Sequence, residues 1–271
     1  MLNLKNIFDF YIKGSLHVAT AVFAFIQISY IQLNISYDEH VGNFGFFGTI
    51  AGYNFIKYHA IARSKKTNPS KTVIAFIILS VLAGLACAYF YLQLNKKTQL
   101  MAFAILLLTI LYALPVYPNK SNLRNWSGIK IYLVAFAWVS VTVLIPVINA
   151  EENFSIIVIL KCLQRFMVVL ILMFIFEIID LQFDEKTLRT IPQKLGIKKT
   201  KLINYLMILA FLTFEILKPS CTINQFFLAS LVALMLVMFT YFASSRSNSY
   251  YTSFWVESVP IVWLILVLIL K

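Results

Sequence analysis

The amino-acid sequence predicts an all-α integral membrane protein, one polytopic domain over residues 1–271 with nine transmembrane helices. Three observations predict it. Hydrophobic residues make up 61% of the chain and charged residues 13%, with a mean hydropathy of +0.83, against roughly 25% charged in a soluble domain. A membrane helix consumes about 20 apolar residues, so the apolar content supplies most of nine spans and leaves little for a separate soluble domain. Basic residues, finally, concentrate in alternate loops, as the positive-inside rule requires.

Apolar runs bounded by charge or turn signals centre on 14–33, 41–62, 72–94, 99–117, 129–148, 154–179, 202–217, 224–243 and 252–270. The first, about Leu16 to Leu33, is longer than a secretory h-region and lacks a small-x-small cleavage site, so it is expected to stay as an anchor. The second is Gly-rich, the sixth carries charge and the ninth is interrupted by proline; irregularity at membrane depth marks a cavity wall. Nine spans put the termini on opposite sides. With the N-terminus cytoplasmic and the C-terminus outside, seventeen of the 23 basic residues fall on the inner side. Lys96, Lys97, Lys218 and Lys271 fall outside, and Lys161 and Arg165 lie within the sixth span. Topology thus explains the net charge of +12, and no nucleic-acid partner is expected. The expected location is an integral membrane one, of the bacterial inner-membrane kind. Cys87, Cys162 and Cys221 are far apart in apolar segments and predict neither a disulfide framework nor a thiolate metal site.

The sharpest chemical feature is F-E-I-I-D-L-Q-F-D-E-K-T-L-R-T-I-P-Q-K-L-G, Phe176 to Gly196, at the inner end of the sixth span. Glu177, Asp180 and Asp184 are spaced i, i+3, i+7, which on a helix aligns three carboxylates in one stripe. Their mutual repulsion calls for a cation. Magnesium suits, since it takes oxygen ligands and is held by one or two carboxylates together with substrate phosphates. Lys186, Arg189, Lys194 and Lys198 follow, supplying charge-assisted donors to phosphate oxygens. By spacing alone, a solvated mixed-charge loop entry fits these residues equally well.

The run from Phe176 to Gly196 resembles the second aspartate-rich motif of the UbiA superfamily of intramembrane aromatic prenyltransferases, roughly F-D-x-x-D-x-x-x-D, a spacer, then R-T-x-P and a Gly. Phe176, Glu177, Asp180 and Asp184 fall on its first part, and Arg189, Thr190, Pro192 and Gly196 on its second, after a spacer about one residue short. Y-A-L-P, Tyr112 to Pro115, before the basic loop Lys120 to Lys130, also fits. The resemblance implies a bundle around a lateral cavity and transfer of a polyprenyl group from its diphosphate to a lipophilic acceptor, such as an aromatic quinone precursor. It implies Mg2+ held by Glu177, Asp180 and Asp184, catalysis by Asp180, Asp184 and Arg189, and diphosphate contacts from Asn54, Lys57, Tyr58, Lys186 and Lys194, with Arg165 lining the pocket. The prenyl diphosphate, the acceptor and membrane lipids are the implied partners.

The first motif departs from the family. N-D-x-x-D-x-x-x-D should fall on Asn54 to Ala62, which reads N-F-I-K-Y-H-A-I-A, so Asn54 is kept and Phe55, Tyr58 and Ala62 replace the aspartates. Lys57, His59 and Arg63 share that helix end and are expected to take over one metal's role at the diphosphate. A member that binds an isoprenoid lipid without catalysis is the competing reading, and an unrelated multipass transporter a more distant one. Tyr53, Tyr58, Tyr112 and Phe183 are candidates to shelter an allylic cation. Lys161 and Arg165, costly at membrane depth, point to function or a buried pair, with Glu257 one possible partner for Arg165.

Overall fold

The computed structural model describes residues 4–63, 70–113, 128–184, 188–219 and 221–270, the side chains of 59–63 and 113 apart. Among the described residues the regular structure is entirely helical, without a strand. Helix α1 (Leu4–Lys13) turns sharply at Gly14 and Ser15 into α2 (Leu16–Leu33), followed by α3 (Glu39–Arg63), α4 (Lys71–Gln93) and α5 (Lys96–Ala113). Next, α6 (Lys130–Val139) passes through a π turn, Ser140–Leu144, into α7 (Ile145–Asn149). Helices α8 (Ile156–Asp180), α9 (Ile191–Leu195), α10 (Ile197–Ile216) and α11 (Ile223–Phe242) follow, and a second π turn, Tyr251–Val256, leads into α12 (Val259–Leu270).

The protein is an integral membrane protein. Among the described residues, six rods are long and apolar enough to cross a bilayer: α2, α4, Lys130–Asn149, α8, α11 and Tyr251–Leu270. The other three expected spans fall on α3, α5 and α10, helices of 25, 18 and 20 residues whose Gly, Lys, Gln or Asn content lowers their apolarity.

The core centres on α8, where Val168 to Leu172 and Phe174, Ile175, Ile178 and Ile179 are all buried against α10, α11 and Trp263. Leu82 and Leu85 of α4 and Leu206 and Leu209 of α10 are exposed and form the lipid-facing surface. Since lipid is as apolar as leucine, helices associate through close approach and interhelical hydrogen bonds. Both occur here. A Cβ at Gly45 would stand 2.4 Å from Ile26 Cδ1, so any larger residue would force the Ile26 side chain to shift where α3 approaches α2. Asn204 Nδ2 donates across from α10 to the Ile171 carbonyl of α8 at 3.3 Å. Pro146 has no N–H to offer the Thr142 carbonyl one turn back, and Ser29 Oγ of α2 donates to that oxygen at 2.5 Å. A proline-broken rod thereby keeps its backbone satisfied in the apolar layer.

Hydrogen bonds and ring packing define the two ends of the bundle. At one, Asn149 Nδ2 donates to Asp38 Oδ2 at 2.7 Å and Asn95 Nδ2 to the Asn149 carbonyl at 3.0 Å. At the other, α1 docks on the start of the last rod through Phe8, which packs edge-on against Phe254 at 5.1 Å. Asp180 lies at this second end, with Lys130 acting on it electrostatically.

Candidate functional site

A cavity of about 1300 Å³ lies between α3, α4, α5, α6 and α8, closed on one side by Glu257 and Pro260 of the last rod. Its wall is overwhelmingly apolar and aromatic. Gly48, Gly52 and Gly84 withdraw side chains from that wall, and a Cβ at Gly52 or Gly84 would meet nothing within 4 Å. Polar groups collect at the Asp180 end, where Asn54, Lys57, Tyr58 and Lys130 line the cavity, while Phe44, Gly45, Tyr91 and Ala102 line the far end. From Gly45 to Lys57 the helical rise amounts to about 18 Å. The space is therefore long, greasy and basic at one end.

The turn between α1 and α2 builds that basic end. Ser15 sits in the left-handed region at φ 63° and is fully buried. Lys57 Nζ donates to Ser15 Oγ at 2.9 Å, Ser15 Oγ donates to Asn54 Oδ1 at 2.8 Å, and Asn54 Nδ2 donates to the Gly14 carbonyl at 3.1 Å. Tyr58 Oη donates to the Lys13 carbonyl at 2.9 Å and its ring stacks on Phe76. Tyr53 Oη accepts from Trp138 Nε1 at 3.0 Å, and Lys57 Nζ stands 5.9 Å from the Tyr53 ring centroid. Glu257 faces Lys57 and Tyr53 electrostatically. Its charged partner is thus Lys57, not Arg165.

Glu177, Asp180 and Asp184 act on one another electrostatically but differ in setting. Glu177 is buried, and its Oε2 accepts from the Ile191 N–H at 3.2 Å, which fixes the start of α9. Asp180 is exposed at the last residue of α8, so Asp184 lies beyond the helix, in a turn closed by its own N–H donating to the Asp180 carbonyl at 2.8 Å. Asp184 Oδ2 is buried without a hydrogen-bond partner among the described residues. No three His, Cys, Asp or Glu side chains among the described residues gather closely enough to hold a metal. One Glu177 oxygen is taken by the Ile191 N–H; as oxygen donors Glu177, Asp180 and Asp184 suit magnesium, with phosphate and water oxygens completing the shell.

Several expected site residues lie elsewhere. Arg165 does not line the cavity: it is buried, with its guanidinium 3.7 Å from the Phe25 ring centroid and 5.7 Å from that of Trp263, and Nη2 donates to Ser29 Oγ at 3.4 Å. Arg189 and Lys194 are exposed and do not line the cavity, and Lys186 lies outside the described residues. Tyr53, Tyr58 and Tyr112 do line it; Phe183 is 77% exposed and does not. Lys161 is in a buried pair with Glu215 of α10 at 3.4 Å. Sequence reasoning left Lys130 and Glu257 without a role at the site. Their position on the shared wall is visible only in three dimensions, although an acid beside a proline in the ninth run was a signal of depth and irregularity.

No protein-family profile matches the sequence, and no curated protein matches it. Solved structures do match its fold. A structure of a digeranylgeranylglyceryl phosphate synthase in membranes superposes with a TM-score of 0.59 at 17% identity, over 98% of this chain and 97% of that one. A UbiA homologue from Archaeoglobus fulgidus bound to Cd2+ gives 0.60 at 11% identity, over 95% of this chain and 98% of that one. The same homologue bound to GPP and Mg2+ gives 0.59 at 10% identity, over 95% and 99%. The fold is that of the UbiA homologues, matched across almost the whole chain.

Proposed function

We propose that this chain, folded as the UbiA homologues are, is a prenyltransferase that takes a prenyl diphosphate into the cavity and passes the prenyl group to a lipophilic acceptor. The observation that carries the reading is the polarity of the cavity, an apolar slot with lysines at the end where Asp180 lies. An amphiphile with an anionic head and an isoprenoid tail matches that gradient in both shape and charge. The homologue bound to GPP and Mg2+ lends support from a shared fold.

In this reading Lys57 and Lys130 bind the diphosphate, with Asn54 holding Lys57 in place through Ser15. Glu177, Asp180 and Asp184 hold magnesium, which when bound neutralises charge on the departing diphosphate. Tyr53, Tyr58 and Phe176 present ring faces to the prenyl carbon as positive charge develops there, and the apolar wall keeps water from intercepting it. Where the first motif lacks its acids, Lys57 takes over the role of one metal at the diphosphate. The Asp180 end is assigned to the cytoplasm on the placement of basic residues. The acceptor class is an electron-rich lipophile small enough to share the cavity.

The loss of those acids gives one reason to keep a second reading, a lipid-binding protein that does not ionise its ligand. Purified protein in nanodiscs with labelled geranyl or farnesyl diphosphate and magnesium separates the two. Diphosphate release that is lost in Asp180→Ala is the expected result. Binding without release, across chain lengths and acceptors, would replace the enzyme with the lipid-binding protein.

A further inference from the structure

Resting on the prenyl-transfer reading, we propose that Glu257 is the base that removes the proton from the acceptor. Prenylation of an O–H, N–H or aromatic C–H group must release a proton, and an apolar slot offers no bulk water to take it. Among the described residues lining the cavity, Glu257 is the one carboxylate. The other polar groups near it are unsuited: Lys57 is a donor bonded to Ser15, Tyr53 Oη accepts from Trp138, and Tyr58 donates to a carbonyl.

The backbone aims Glu257 there. It follows the π turn Tyr251–Val256, and its N–H reaches five residues back to the Thr252 carbonyl at 3.1 Å. An extra residue in a turn rotates everything after it by about 100°, and such insertions concentrate at functional sites. Here the turn, which ends three residues before Val259, places a carboxylate on the cavity wall. The turn is anchored from α2: His17 Nε2 hydrogen-bonds the Phe254 carbonyl at 3.0 Å and Ser258 Oγ at 3.2 Å. An anchored turn holding a carboxylate on a cavity wall is a costly arrangement for packing alone.

The step balances. The bond from the prenyl carbon to the diphosphate oxygen breaks with its electron pair leaving on the diphosphate. The nucleophilic atom of the acceptor bonds to that carbon, and the acceptor's proton passes to a carboxylate oxygen of Glu257. Lys57, the countercharge of Glu257 before binding, is then offset by the diphosphate.

The test measures prenylated product, released diphosphate and ligand binding separately, in nanodiscs, for the wild type, Glu257→Gln and Glu257→Asp, with thermal melts as a check of folding. Glu257→Gln is expected to lower the turnover number for product at least about 100-fold while radiolabelled prenyl diphosphate still binds. Glu257→Asp should recover part of the rate, and the pH profile of the wild type should have an acid limb that the Gln variant lacks. Product formed by Glu257→Gln at the wild-type rate overturns the assignment and leaves the prenyltransferase standing. Loss of binding together with product, in a folded Gln variant, also overturns it and makes Glu257 a positioning residue for Lys57. Absence of diphosphate release from the wild type overturns the enzyme reading itself, and this assignment with it.

Discussion

Glu215 carries the sharpest test of how charge is tolerated inside this bundle. It is 3% exposed, and its carboxylate is shared by Lys161 at 3.4 Å, Gln164 Nε2 at 2.7 Å and Lys218, with Lys161 and Lys218 only 6% and 7% exposed. One anion thus serves two buried cations, and a third, Arg165, lies one turn along α8. Glu215→Gln keeps the shape and leaves Lys161 and Lys218 facing each other without a countercharge, a loss of about 3–5 kcal/mol. Lys161→Met leaves Glu215 still neutralised by Lys218 and gives up the 2.8 Å bond to Gln32, a loss of about 1–2 kcal/mol. The gap, about 2 kcal/mol, corresponds to roughly 4–8 °C in melting temperature. Both variants, purified in one detergent and followed by intrinsic fluorescence during heating, give the comparison. Glu215→Gln should melt lower, and the double variant should regain part of its loss because one stranded cation is removed. If Glu215→Gln melts at or above Lys161→Met, the shared-anion account is wrong and the two lysines reach interfacial water.

Further outcomes follow from packing and from the docking of α1. Gly45→Val should lower stability by about 1–3 kcal/mol, read as a fall in melting temperature, because its Cβ would stand 2.4 Å from Ile26 Cδ1. In α1, the Tyr250 hydroxyl donates to Asp9 and holds its carboxyl below its ordinary 3.8. A depressed carboxyl stabilises the folded state above the ordinary value and loses that contribution as pH falls through the depressed one. Docking of α1 should therefore weaken on acidification below pH 3.8; Tyr250→Phe should move the Asp9 titration, followed by NMR of labelled aspartate, back toward that value.

Much of the architecture could be read from the residues because lipid imposes a simple rule on composition. The long apolar rods, the buried α8 and the cavity on the Gly-rich α3 follow from it. The acid stripe shows where pattern stops short. Spacing of i, i+3, i+7 describes a regular helix, but α8 ends at Asp180, so Asp184 sits in the turn beyond it and one Glu177 oxygen serves the Ile191 N–H, neither of which the spacing announces. Pairings across large sequence distances were equally out of reach. Arg165 lies on Phe25, which is 140 positions earlier, and Trp263, and no local pattern in α8 announces either ring. Glu215 was legible in principle, as a lone acid inside an apolar run, and demanded a buried cation nearby. Pro146 likewise marked a freed carbonyl, though not that Ser29 would satisfy it.

Gly52 and Gly84 bear on how such a protein diversifies. A glycine inside a helix is less stable than alanine by about 0.5–1 kcal/mol, and at these two positions no neighbour stands in the way of a methyl group. Bundle integrity and cavity bore are thereby uncoupled: larger residues there narrow the slot while the helix gains stability. Selection for a shorter or slimmer ligand can therefore act on the bore of the cavity without weakening the bundle.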